Sequence, residues 1–373
     1  MTRDAGEVGT HARLAAPFAH ALLALLAVAP LVVDVPVNAN IVATAVLTVF
    51  VGCARSVKPE PPAEAMTKKD AMKFPLVGSL VLFSLFLAFK YLPKEMVNAI
   101  LSAYFVFLGM LAVVACIAPQ LAGLVPAWWS EHEIEIRVPK LPVLLKEGLE
   151  FSFTPLEALV ALPASPFCVW YYRRKHWFAN NVLGLAFSLQ GIEHLSLGAV
   201  QNGVILLCGL FFYDVFWVFG TPVMVSVAKN FDAPIKLLFP RALDAIVDGK
   251  RQFSMLGLGD IVIPGIFVAI ILRYDKAHAS RYFRTTFVGY AAGLIATIVV
   301  MNVFKAAQPA LLYIVPGVLI PTFAHAALNG ELWKLFHWHE KEHHEAKEAA
   351  AAAEQEAKEA DAAASSAGAK KEK

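Results

Sequence analysis

The chain has 373 residues, 58% of them hydrophobic and 17% charged, with a mean hydropathy of +0.59 and a formal net charge of +2. A soluble globular chain carries roughly 45–50% apolar and about 25% charged residues, so this composition excludes an ordinary soluble domain and points to a bilayer. The small net charge gives no basis for nucleic acid as a partner, and no basic patch interleaved with aromatics lies outside the loops.

A spanning helix needs about 17–25 mainly apolar residues. The first apolar run, APFAHALLALLAVAPLVV at 16–33, fits three readings. It could be a signal-peptide core with a small-residue cleavage site at Ala27 to Ala29, an extra span, or a half-buried hairpin with the run at 39–54. Pro30 and Pro36 argue against one continuous helix, so residues 1–38 are set apart as an N-terminal segment. Further apolar runs lie at 73–92, 97–121, 155–172, 178–195, 203–221, 257–272, 286–304 and 309–328. With 39–54 they predict an all-α polytopic membrane protein of about nine transmembrane helices over residues 39–330. Three loops are long. Residues 55–72 are Pro-rich and basic, and 222–256 separates the two runs of greatest interest. Residues 123–154 contain EIEIRVPKLPVLL, whose alternation suits a short strand or an interfacial stretch. Residues 331–373 read as a polar Ala/Glu/Lys-rich tail, disordered or a solvated helix, ending in KKEK.

In the run FFYDVFWVFG, Phe211 to Gly220, one carboxylate, Asp214, stands among large apolar residues. An ionisable group at a bilayer centre costs on the order of 2.5–3.5 kcal/mol even on lenient insertion scales, so it needs a partner or a function. A second carboxylate, Asp260, opens the run at 257–272. Gly257 and Gly259 flank Leu258 just before it, allowing close approach of backbone or another helix, and Pro264 disrupts helical hydrogen bonding one turn later. Two carboxyls within hydrogen-bond reach share a proton: one acts as general base on water while the other hydrogen-bonds the scissile carbonyl. That division hydrolyses a peptide bond without a metal. The two aspartates alone fit a cation transporter equally well.

The stretch QPALLYIVP, 308–316, favours hydrolysis. Pro309 and Pro316 bracket an apolar segment that is not expected to be regular helix throughout. Its freed carbonyls should line a cavity, where an extended substrate could pair with an irregular edge.

Tyr213–Asp214, GLGD at Gly257–Asp260 and PAL at Pro309–Leu311, in that order and inside apolar runs, resemble the three signatures of the GxGD intramembrane aspartyl proteases. Within that group the chain is similar to the signal peptide peptidase family rather than the presenilins, on KHWFANNVLGLAFSLQGIE (175–193), YDVFWVFGTPVMVSVAK (213–229), LGLGDIVIPGIF (256–267) and QPALLYIVP. The likeness runs from about residue 40 to about 328. It implies a presenilin/signal peptide peptidase-like fold of nine transmembrane helices, with Asp214 on the sixth and Asp260 on the seventh as the catalytic pair. Tyr213 would position, Gly257, Leu258 and Gly259 would permit close approach, and Gln308, Pro309, Ala310 and Leu311 would shape the substrate side. The implied substrates are leftover signal peptides and type II membrane segments, cleaved within the bilayer without metal or cofactor. The KKEK end looks like a cytosolic retrieval signal and implies the endoplasmic reticulum membrane with a cytosolic C-terminus. Self-association into a homo-oligomer is left open.

Other features take ordinary readings. The cysteines Cys53, Cys116, Cys168 and Cys208 lie in or beside apolar runs, at spacings that fit neither a zinc site nor a disulfide framework. The histidines of HWHEKEHH, 337–344, read as incidental in a solvated tail rather than as a metal site. Glu157 and Glu193 near span ends read as snorkelling or capping groups. Trp128, Trp129, Trp170, Tyr171 and Tyr172 read as interfacial aromatics.

Overall fold

A computed structural model describes residues 18–58, 65–138, 149–241, 246–247, 250–304, 308–346 and 349. A short apolar helix, α1 (Phe18–Leu31), turns back into α2 (Val37–Ser56). At 1.5 Å per residue α1 is too short to cross the roughly 30 Å hydrocarbon core. It packs Ala19 and Leu23 into the protein core. Then come α3 (Lys68–Tyr91), α4 (Lys94–Leu121) and the short α5 (Ala127–Glu131). An antiparallel ribbon follows, β1 (Ile134–Val138) with β2 (Leu149–Phe153), so the alternating EIEIRV stretch is a strand; residues 139–148 lie outside the described residues.

Helices α6 (Pro155–Arg174), α7 (Trp177–His194), α8 (Val200–Phe219) and α9 (Val223–Asn230) lead into the loop between the two carboxylates. That loop holds β3 (Lys236–Pro240), β4 (Ile246–Val247), β5 (Lys250–Arg251) and β6 (Phe253–Gly257). The chain ends in α10 (Gly259–His278), α11 (Tyr282–Phe304), α12 (Leu311–Leu328) and α13 (Leu332–Phe336). Among the described residues six helices, α2, α3, α4, α8, α11 and α12, are long and apolar enough to cross a membrane. Three more of 18 to 20 residues, α6, α7 and α10, are packed among them and carry more polar side chains. The all-α polytopic architecture holds; a count of nine spans rests on including these three.

Lipid tails are as apolar as leucine, so membrane helices associate through close packing and internal polar contacts rather than hydrophobic drive. Ile192 of α7 fills the space left by Gly52 on α2 and Gly265 on α10, and Phe267 of α10 lies against Gly203 of α8. The most extensive helix contact among the described residues is α11 with α12. There Gly289 and Gly293 meet Gly317 and Ile314 backbone to backbone. Pro321 has no N–H for the Gly317 carbonyl one turn earlier, and that oxygen faces Gly289. Thr286 and Thr322 add a buried hydroxyl contact of 2.7 Å across the same seam.

Two carboxylates near helix ends have defined partners. Glu157 closes a capping box with Thr154 at the start of α6. Glu193 does not snorkel: it takes a 2.7 Å ion pair from Arg55 and lies 3.4 Å from Lys58. The Arg55 guanidinium also donates to the carbonyls of Ala115 and Cys116 on α4, and Pro119 lacks the N–H that would otherwise serve Ala115.

The solvated-tail expectation needs correction over its first part. Leu335 is fully buried, and Trp338 and Glu340 are buried against the bundle. His339 bridges to Ala199 before α8. The apolar Trp333, Leu335 and Phe336, with Trp338, make residues 332–340 a docking segment despite the polar composition that follows. Residues 351–373, including KKEK, lie outside the described residues.

A Cβ at Gly289 would lie 2.0 Å from the Gly317 carbonyl oxygen, so Gly289→Val must part α11 from α12. Thermal unfolding in detergent is expected to show a loss of about 1–3 kcal/mol or more. Gly123→Ala, where a Cβ would meet nothing within 4 Å, should leave stability unchanged.

Candidate active site

Helices α8 and α10 pack against each other, and each carries one of the two carboxylates. Asp214 sits in the second half of α8, 5% exposed, and its Oδ2 accepts the Leu311 backbone N–H at 3.0 Å. Leu311 is the first residue of α12, capped by Ala310. The first N–H groups of a helix have no partner within it, and the macrodipole places partial positive charge there, so the α12 start is a ready anion site. Proline precedes it where its missing N–H costs nothing. The PAL residues are buried and Gln308 is half-buried. Only 308–310 are irregular; the helix runs on through Pro316 and Pro321. This corrects the expectation of a broken segment lining a cavity. Pro316 costs the helix one hydrogen bond, and the inner side of the segment is filled by Gly293 of α11.

Asp260 is half-buried in the first turn of α10. A Cβ at Gly257 would come 3.2 Å from Asp260 Oδ2, so the close-approach reading holds there. At Gly259 it does not: a Cβ would meet nothing within 4 Å, and the residue is exposed, so this glycine borders open space beside the dyad. Leu258 is the N-cap of α10 and its N–H is bound to the Ile235 carbonyl at 3.0 Å. Pro264 cannot serve the Asp260 carbonyl, and the buried Tyr290 hydroxyl donates to it at 3.4 Å. Tyr213 turns its ring toward Gly78 of α3 and Trp217, which suits a packing role beside Asp214.

The approach to Asp260 is set by the two-stranded sheet of β3 and β6, antiparallel, with Leu238 opposite Met255 and Lys236 opposite Gly257. Asn181 of α7 grips the outer edge of β3, accepting the Leu238 N–H and donating to its carbonyl, both at 2.8 Å. Asn180 donates to the Lys236 carbonyl at 2.7 Å. One amide side chain thus supplies the donor and acceptor of a third strand residue, and among the described residues β6 has no strand partner on its other edge, next to Asp260. Nothing in the sequence alone assigns a role to this ANN stretch. Two adjacent amides inside an apolar run were the available signal, since such groups must find partners in lipid. Tyr290 and the Gly289/Gly293 pair were also passed over, the latter being a small-xxx-small pattern in an apolar run.

Among the described residues no group of three His, Cys, Asp or Glu side chains is placed to hold a metal ion. The cysteines are free. The site therefore holds two carboxyls, two helix N-termini and the edge of a two-stranded sheet.

A family model described as signal peptide peptidase matches residues 58–342. The chain belongs to the signal peptide peptidase family. It is 44% identical to a Homo sapiens protein named signal peptide peptidase over 306 residues, 79% of this chain and 81% of that one. A Caenorhabditis elegans protein named intramembrane protease 2 is 44% identical over 216 residues, 53% of this chain and 46% of that one. A probable intramembrane protease of Schizosaccharomyces pombe is 32% identical over 319 residues, 82% of this chain and 95% of that one. The apolar helices and these relatives make this family member a multi-pass membrane protease.

The contrast between the two glycines is testable. Gly257→Ala forces the Asp260 carboxyl to move by a few tenths of an ångström, and proteolysis is expected to fall about tenfold or more while the protein stays folded. Gly259→Ala should leave thermal stability unchanged. Equal stability and equal proteolysis for wild type and Gly257→Ala would remove the packing argument.

Proposed function

We propose that this signal peptide peptidase family member is an aspartic endopeptidase that cleaves peptide bonds inside transmembrane segments, with Asp214 and Asp260 activating water. The observation that carries the reading is the seating of Asp214 on the Leu311 N–H, with Asp260 in the first turn of the neighbouring helix. Two helix N-termini make one shared negative charge tolerable in a low-dielectric place, which is what a carboxyl pair holding one proton requires. The ionised member takes a proton from water as the oxygen attacks the scissile carbonyl. The protonated member hydrogen-bonds that carbonyl oxygen, and a proton then passes to the leaving amine. The pair titrates as a unit.

A helical substrate hides its carbonyls in its own hydrogen bonds, and unwinding it in hydrocarbon strands polar groups at several kcal/mol each. The β6 edge offers replacement bonds. Leu238 turns its N–H and C=O toward Asn181, away from β6, so Met255 opposite it turns its own away from β3. An unwound substrate strand pairing there is led to Asp260. The substrates proposed are leftover signal peptides and type II membrane segments of the endoplasmic reticulum, in line with the names of the relatives.

Purified protein in proteoliposomes is expected to cleave a model signal peptide. Asp214→Asn and Asp260→Asn should each lower the rate by roughly a thousandfold or more, since paired catalytic groups act as a unit. Cleavage that survives either change defeats the dyad; cation uptake that depends on both aspartates, without cleavage, favours transport instead. Met255→Pro deletes an outward N–H without touching the β3–β6 bonds. It is expected to reduce kcat/KM about tenfold with folding retained, an effect of the size of one lost hydrogen bond in a dry site. An unchanged kcat/KM counts against strand pairing at β6.

A further inference from the structure

Helix α6 ends on Lys175, whose backbone is left-handed at φ 48° and ψ 37°. Glycine is the usual residue in that conformation, because a Cβ crowds the following carbonyl. Among the described residues only Lys175 and Ala279 are non-glycine residues with positive φ. Glycine would close the same turn without strain, so the reason for a lysine lies in its side chain.

That side chain is half-buried and ties two other parts of the chain together. Its Nζ donates to the Ser102 hydroxyl of α4 and to the Asp232 carbonyl at 3.3 Å, and lies 5.0 Å from the centre of the Tyr171 ring. The buried Ser102 hydroxyl donates to the same Asp232 carbonyl at 2.9 Å. One turn earlier on α4, the Asn98 side chain accepts the Asp232 N–H at 3.2 Å and donates to the Asn230 carbonyl at 2.9 Å. Hydrogen bonds from an ammonium are stronger than neutral ones, and the aromatic face adds to the tie.

The segment held in this way leads directly to the dyad. Three residues after Asp232, the Ile235 carbonyl takes the Leu258 N–H at 3.0 Å. Leu258 is the N-cap of α10, and Asp260 follows two residues later. A lysine in the α6–α7 turn is therefore connected to the start of α10 through Asp232, Ile235 and Leu258 without entering the site. We propose that Lys175 is a positioning residue for Asp260: with Ser102 and Asn98 it pins the segment before β3, so that the first turn of α10 presents its carboxyl in a fixed place. The strained backbone persists because glycine would relieve it but lose the tie. The role rests on the reading of Asp260 as one of the hydrolytic pair.

The test compares full-length wild type, Lys175→Gly, Ser102→Ala and Asp260→Asn in proteoliposomes with a model signal peptide. Lys175→Gly removes the ammonium together with the strain, so Tm is expected to stay close to that of wild type. Its kcat should fall about tenfold with KM changed less than about twofold, since the substrate still binds but the carboxyl is less well placed. Ser102→Ala leaves the turn untouched and should lower kcat about threefold, the size of one weak hydrogen bond. Hydrogen exchange at the Leu258 amide should quicken in both, with the α11–α12 seam protected as in wild type. Wild-type kcat in both variants, unchanged Leu258 exchange, or a loss of kcat that only tracks a lower Tm in both overturns the proposal. Cleavage by Asp260→Asn at the wild-type rate overturns the dyad itself, and the positioning role with it, whatever Lys175→Gly does.

Discussion

The cost of placing two carboxyls among hydrocarbon is the constraint on which this molecule turns. Two helix N-termini are brought to them: α12 presents the Leu311 N–H to Asp214, and Asp260 lies in the first turn of α10. Helix dipoles act over about one turn, so the field is useful only if those termini are held within hydrogen-bond reach. Much of the remaining architecture holds them there. The Gly289, Gly293 and Gly317 contacts press α12 against α11, Tyr290 of α11 donates to the Asp260 carbonyl, and Thr297 reaches the Ala310 carbonyl at 3.4 Å. Helix α11 therefore touches the supports of both acids while lending no side chain to the chemistry.

A second set of contacts fixes the peptide side of the site. Asn180 and Asn181 hold β3, β3 orders β6, and β6 runs straight into Gly257 and Asp260. Strand edges are a hazard in most proteins because they recruit other chains. If the proposed strand pairing at β6 operates, the same edge is useful, and the Asn181 clamp on β3 covers the opposite edge.

Much of this was legible in the sequence. Runs of apolar residues at spanning length gave the helices, and Asp214 and Asp260 stood out as carboxylates in or at the start of two of them. Two misreadings have a common cause. The sequence shows where proline removes a hydrogen bond but not who replaces it, so the segment after Pro309 was expected to be broken, whereas α11 packs against a continuous helix there. Glu193 read as a snorkelling residue because its partner Arg55 lies 138 positions away. Composition misled at the tail, where Trp338 and Glu340 dock although the surrounding sequence is polar. Gly257 and Gly259 look alike in the motif, yet only the first is crowded by Asp260, a distinction of backbone direction that spacing does not carry.

The account rests on one proton being held between Asp214 and Asp260 in the resting enzyme. Infrared difference spectroscopy of the protein in lipid, at the pH of fastest cleavage, reads this directly through the carboxylic acid C=O stretch. Comparing wild type with Asp214→Asn and with Asp260→Asn should reveal a single protonated-acid band that either substitution removes or displaces. If the spectra instead assign both side chains as independent carboxylates, with neither band responding to the loss of the other residue, the two acids do not form a dyad.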